Sequence, residues 1–208
     1  MIIVLIGYMA SGKTSIGKKL AKKLNYNFID LDDLIEDKEK MSVTDVFKEK
    51  GEIYFRKQES YYLNRLLESE NNTILSVGGG TPCYSGNIDV ILSAENVRSI
   101  YLKASLTTLV NKLMTKKATR PLITHIETTE EMTEFIGKHL FERIQFYNQA
   151  EIQVSIDNKT KDDFYKLKYF GTIENIDKLI DLGLKHLVIG IGFINNLKKR
   201  DKLFLGLK

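Results

Sequence analysis

The stretch GYMASGKTS, Gly7 to Ser15, follows the apolar run MIIVLI with no polar linker. Its spacing is G-x-x-x-x-G-K-[ST]. Gly7 and Gly12 let the backbone curl so that successive N–H groups point inward at an anion. Lys13 then reaches the outer phosphates of a nucleotide, and the Thr14 hydroxyl is placed to bind magnesium. A helix opening near Thr14 adds its positive N-terminal end. A chance glycine-rich turn explains the glycines but not the Lys-Thr pair beside them.

Two acids follow at the end of FIDLDD. In an extended segment, residues two apart share a face, so Asp30 and Asp32 point together while Leu31 anchors in the core. Beside a phosphate loop, one carboxylate can hold magnesium and the other can orient, or take a proton from, an attacking hydroxyl. Asp30 is assigned to the metal and Asp32, further from the strand end, to the hydroxyl. The alternative is that Asp32 or Asp33 caps a helix at Leu34. Two arginines extend the pattern. Arg56 has Glu59 three residues on to steady it. Arg143 falls on the stripe Met132, Ile136, Leu140, Arg143, Tyr147, which should face the core. A guanidinium there needs a buried anion, either an internal carboxylate or a carboxylate substrate. Gly78-Gly79-Gly80 would let such a substrate lie against bare backbone N–H groups. The polar stretch from Met114 to about Thr128 carries Lys116, Lys117 and Arg120. It reads as a solvated connection, or as a basic loop that closes over the nucleotide and brings Arg120 to the transferring group.

The elements that must position these residues alternate. IIVLI, NFID, TILSV, VRSIYL and IQVSI read as strands. Between them lie helical patterns: one with Ile16, Leu20 and Leu24, a short one capped by Ser42, one from about Glu52 to Glu68, one opened by Ser105, and one from about Thr129 to Ala150. This alternation implies an α/β fold with a parallel sheet covered on both faces. Ligands then gather at the carboxyl ends of the strands, where every cluster named above sits.

The bulk properties narrow the function. The chain has 208 residues, 43% hydrophobic and 28% charged, with a formal net charge of +4. That suits one globular domain with an appendage and an anionic small substrate. The lysines are scattered along helices, and no basic stripe interleaves with aromatics, so no nucleic-acid partner is expected. Cys83 is alone, which excludes an internal disulfide and a cysteine-rich metal site, and the three histidines form no metal-type pair. No apolar run reaches the length of a membrane span, and MIIVLIGYM lacks a charged start and a cleavage site. A cytoplasmic location without membrane association is expected.

Taken together, GYMASGKTS, FIDLDD, KGEIYFRKQE, LSVGGGTP, TRPLI and ERIQFY resemble the shikimate kinase family, in the family's order over residues 1 to about 160. The resemblance implies a P-loop NTPase fold: three α/β/α layers around a five-stranded parallel sheet in the order 2-3-1-4-5, with a lid. It implies transfer of the terminal phosphoryl of ATP to the 3-hydroxyl of shikimate, with Mg2+ as cofactor. It places Ala10, Ser11, Gly12, Lys13, Thr14 and Ser15 around the ATP phosphates, with Thr14 on magnesium and Asp30 nearby. Asp32 is placed on the shikimate hydroxyls, Arg56 and Arg143 on the carboxylate, and Gly79 and Gly80 on the ring substituents. Arg120 becomes the lid arginine, and Lys159 falls loosely where adenine is contacted.

The chain departs from the family after the fifth strand. Residues 1–165 form the kinase-like domain and 166–208 a C-terminal extension. The extension reads as a helix with Ile173, Ile176, Leu179 and Ile180, the apolar strand HLVIGI, and a basic helix. It is weakly similar to part of the N-terminal domain of sugar O-acetyltransferases. A monomeric kinase domain is expected, with the tail free to mediate self-association. Two rival readings are a gluconate-type small-molecule kinase and a nucleotide-binding regulatory module that has lost catalysis. The first is not expected to combine Asp32, Arg56, the triglycine and Arg143, and the second is opposed by the presence of Lys13, Thr14, Asp30, Asp32 and Arg120 together.

Overall fold

The computed structural model describes residues 1–157, apart from 70, 118 and 119. Lys159, the 165/166 boundary and the elements read in the extension lie outside the described residues. The chain runs β1 (Ile2–Ile6), α1 (Lys13–Leu24), β2 (Asn27–Asp30), α2 (Leu31–Glu39), α3 (Val43–Leu67), β3 (Thr73–Ser76), α4 (Asn87–Ser93), β4 (Val97–Lys103), α5 (Leu106–Met114), α6 (Thr129–Tyr147) and β5 (Ile152–Ser155). Short 3-10 turns lie at Thr81–Cys83 and Pro121–Ile123.

The five strands form one all-parallel sheet in the order β2-β3-β1-β4-β5, with helices on both faces, as expected. A strand that is paired on both edges and covered on both faces must be apolar throughout. β1 meets that demand: all five of its residues are buried, with β3 on one side and β4 on the other. The edge strands β2 and β5 are more exposed and more polar. Because all strands run the same way, their carboxyl ends open onto one rim, and the loops after β1, β2 and β3 meet there.

Helix starts follow the capping chemistry of the sequence. Asp30, Ser42, Ser105 and Thr128 cap α2, α3, α5 and α6 through their side chains, and Thr128 with Glu131 closes a capping box. The two helices expected on either side of residue 51 run together as α3, broken at Gly51 with φ 83° and ψ 166°. That angle is available to glycine, so the axis bends there and presents Arg56 and Glu59 to the rim. α6 ends at Tyr147, slightly earlier than its pattern suggests. No helix among the described residues is long and apolar enough to cross a membrane.

Candidate active site

The phosphate loop begins as β1 leaves the sheet. Tyr8 to Ser11 form a turn closed by the Ser11 N–H donating to the Tyr8 carbonyl at 3.1 Å, with Ala10 at φ 61°. Gly12 at φ 94° then swings the chain into α1. No side chain caps α1 and its first turn holds no acid. Its leading N–H groups therefore keep their donors and their positive potential for an anion. Among the described residues the Ser11 hydroxyl is buried without a hydrogen-bond partner, a cost that an incoming phosphate oxygen removes. Lys13 folds back over the loop, its Nζ donating to the Gly7 carbonyl at 2.7 Å and the Tyr8 carbonyl at 3.1 Å. Burial pushes its pKa down to about 8, against the pull of Asp32 and Asp30.

The two acids do meet, but not as expected from strand alternation. β2 stops at Asp30, whose carboxylate accepts from the Asp32 N–H at 3.3 Å and so caps α2. Asp32 thus stands in the first turn of a helix, and neither Asp32 nor Asp33 is the cap. The other Asp30 oxygen accepts from the Thr14 hydroxyl at 2.8 Å. One hydroxyl and one carboxylate in contact fit a magnesium ion, which binds through few protein oxygens and completes its shell with phosphate oxygens and water. Burial pushes the Asp32 pKa up to about 6, and the neighbouring Asp30 and Glu59 add to this while Lys13 opposes it. A carboxylate tuned towards neutral pH is suited to proton transfer.

The triglycine brings the rest together by close approach. A β-carbon on Gly78 would come within 3.1 Å of Asp32 Oδ1 and 3.0 Å of Glu59 Oε1. One on Gly80 would come within 3.0 Å of both Arg56 terminal nitrogens, and one on Gly79 within 3.8 Å of Arg143 Nη1. Side chains at these positions would fill the space in front of the charged groups. Glu59 is 1% exposed and is held at both oxygens, by Thr81 Oγ1 at 2.5 Å and Arg56 Nη1 at 3.1 Å. The Glu52 carboxylate takes Arg56 Nε and Nη2 at 3.3 and 3.1 Å. The internal ion pair that was one alternative for the arginines is therefore realised at Arg56.

Arg143 differs. Among the described residues no carboxylate pairs with it. Met132, Ile136 and Tyr147 of its stripe are buried as expected, while Arg143 and Leu140 are half-buried. Its guanidinium lies 5.7 Å from the Tyr8 ring centre and close enough to Tyr147 to oppose the upward push of burial on that hydroxyl. Tyr147 donates to the Gly79 carbonyl at 2.5 Å and packs on Tyr101. The buried Glu59 carboxylate feels the Arg143 charge without forming an ion pair with it, so a partly buried cation is left for an incoming anion. Arg120 precedes the Pro121–Ile123 turn, whose Ile123 is buried, and lies close enough to depress the charge of Lys13. Among the described residues its Nε is buried without a hydrogen-bond partner.

Ala10 to Ser15, Asp30, Asp32, Arg56, Gly79, Gly80, Arg120 and Arg143 thus all belong to one rim. The sequence reading missed Tyr8, Thr81 and Tyr147. An aromatic in an apolar stripe reads as core, and nothing in the sequence around Tyr147 marks it otherwise. Among the described residues no cluster of three or more His, Cys, Asp or Glu side chains could hold a metal.

The shikimate kinase family model matches residues 9–174. A shikimate kinase of Flavobacterium johnsoniae is 47% identical over 161 residues, spanning 77% of this chain and 92% of that protein. One from Flavobacterium psychrophilum is 44% identical, spanning 86% and 98%. The crystal structure of the Bacteroides thetaiotaomicron shikimate kinase superposes with a TM-score of 0.72 at 30% identity, covering 87% of this chain and 98% of that one. The Acinetobacter baumannii shikimate kinase in complex with shikimate gives 0.68 at 26% identity, covering 88% and 92%. With the family model matching residues 9–174 and a relative 47% identical over 161 residues, the chain belongs to the shikimate kinase family.

Proposed function

We propose that this protein transfers the terminal phosphoryl group of ATP to the 3-hydroxyl of shikimate, with the roles divided as follows. The carrying observation is the meeting of Asp32 with Arg56 and Arg143 around a triglycine, beside a phosphate loop. The loop and the uncapped start of α1 hold the nucleotide phosphates, and Lys13 moves from its loop carbonyls onto the outer phosphates. Asp32 orients the acceptor hydroxyl and takes its proton. Arg56 and Arg143 grip the acceptor carboxylate and so fix which hydroxyl faces the phosphoryl group. Arg120 approaches from the other side and balances charge on the transferring oxygens. Thr14 and Asp30 would hold Mg2+, which when bound neutralises phosphate charge and steers the terminal phosphoryl into line.

An assay coupled to ADP release tests this directly. Shikimate should support turnover, gluconate and nucleosides should not, and a chelator should abolish activity until magnesium is restored. Turnover with gluconate in place of shikimate would overturn the assignment.

The two arginines should separate under conservative exchange. Lysine keeps the charge but loses the fork. Arg56→Lys and Arg143→Lys should each weaken shikimate binding by roughly 1.5–3 kcal/mol while leaving ATP binding near normal. Only Arg56→Lys should also lower the melting temperature, because Glu59 is buried and depends on Arg56. Titrations with each ligand and thermal melts give both readouts. Equal weakening for both ligands would mean that the arginines are structural.

A further inference from the structure

Tyr84 has no part in the roles assigned above, yet the chain takes care over where it stands. It follows the Thr81–Cys83 turn in extended backbone, with φ −120° and ψ 153°. Ser85 and Gly86 then both adopt left-handed angles, φ 54° and 69°, which reverse the chain at once. For Ser85 that is a conformation L-residues adopt reluctantly. Asn87, 1% exposed, pins both sides of the reversal. Its N–H donates to the Tyr84 carbonyl at 3.0 Å and its Nδ2 to the Thr81 carbonyl at 2.9 Å.

The result is a ring laid over the Arg56 guanidinium, with Cζ 4.0 Å from the ring centre. Phe55 and Phe47 stand further off, at 5.4 and 5.8 Å. Tyr84 is 39% exposed and the Arg56 side chain 15%, so the ring covers the guanidinium towards solvent. A guanidinium has five N–H donors, all in its plane. Glu52 engages Nε and Nη2, and Glu59 engages Nη1. Each terminal nitrogen keeps one further N–H, and these two edges border Gly80. A stacked ring attracts the cation through its face and leaves those in-plane donors free.

We propose that Tyr84 is a positioning residue: its ring fixes the plane of the Arg56 guanidinium and excludes water from it, so that the two remaining N–H groups stay aimed at the acceptor carboxylate. This rests on the reading of Arg56 as a carboxylate clamp.

The test compares wild type, Tyr84→Phe and Tyr84→Leu on shikimate and on its neutral carboxamide. Tyr84→Leu should raise KM for shikimate by about two- to thirtyfold, the range of a stacked cation from exposed to desolvated. Its kcat and its KM for ATP should stay near wild type, as should its melting temperature. Tyr84→Phe keeps the face of the ring and should restore KM to near wild type. On the carboxamide, which gives Arg56 no anion, wild type should be poor and Tyr84→Leu no poorer. An unchanged KM in Tyr84→Leu, equal losses in the Leu and Phe variants, or a matching rise in KM for ATP would each overturn the proposal. If wild type uses shikimate and its carboxamide equally well, the clamp reading itself fails, and the role of Tyr84 with it.

Discussion

Asp32→Asn will cut turnover of shikimate by about 10²–10⁴, the usual loss when a positioned proton acceptor is removed. ATP binding will survive, because the phosphate loop is built from other residues. The same change will make the protein more stable at neutral and alkaline pH. The Asp32 pKa is raised to about 6, first by burial and then by Asp30 and Glu59. A carboxyl whose folded pKa lies above its unfolded value favours the folded state in its neutral form. That advantage is complete at low pH and is lost as pH rises through about 6. Asparagine is neutral throughout. The two proteins should therefore melt together near pH 4 and diverge by roughly 1–3 kcal/mol above pH 7, with the variant more stable. The wild-type kcat/KM for shikimate should fall as pH drops through about 6, and the residual activity of the variant should lack that limb. Near-normal turnover in Asp32→Asn would remove Asp32 from the chemistry. Equal or lower stability at pH 8 would show that the carboxylate is better accommodated than its surroundings imply.

Lys13→Met will be the second large loss, about 10²–10³ in kcat, the scale of removing one preorganised donor from a developing negative charge. Here ATP use suffers and shikimate binding does not. A proton should report the same event. The Lys13 pKa is pulled down to about 8 by burial, so near pH 8.5 much of the free enzyme carries a neutral amine. Phosphate oxygens favour the ammonium, so ATP binding at that pH should take up a proton at Lys13. Calorimetry of ATP binding in buffers of different ionisation enthalpy should show this uptake at pH 8.5 and much less of it at pH 6.5. Lys13→Met should abolish the difference. Identical heats across buffers for the wild type would mean that Lys13 is already charged in the free loop.

How much of this was legible depended on how locally each feature is encoded. The phosphate loop was legible because its parts are contiguous: a buried strand, the two glycines and the Lys-Thr pair. The sheet order came from the family likeness, since strand alternation alone says parallel but not which strand is central. Arg143 announced itself as a charge on an apolar stripe. Asp30 and Asp32 were grouped correctly and placed wrongly, because the Asp30 side chain bonds the Asp32 N–H and ends the strand two residues sooner than alternation assumes. Tyr147 and Tyr84 were not legible as site residues. The hydroxyl of the first reaches Gly79 and the ring of the second reaches Arg56, each across the fold. Nothing in an aromatic's sequence neighbourhood separates such contacts from ordinary core packing.

The strand order also governs how the molecule must assemble. The central strand pairs Ile2 with Thr73 on one edge and with Val97 on the other, while β2 waits for β3 and β4 for β5. Among the described residues no two strands meet through a hairpin, and every pairing joins residues more than about 40 positions apart, so loop-closure entropy is spent before the sheet returns any energy. Helices such as α6, with its capping box, can form early. IIVLI cannot be covered until both of its distant partners arrive. Refolding from denaturant should therefore be slow and sensitive to protein concentration, and that one strand is where the unfinished chain is most exposed to association with its own copies.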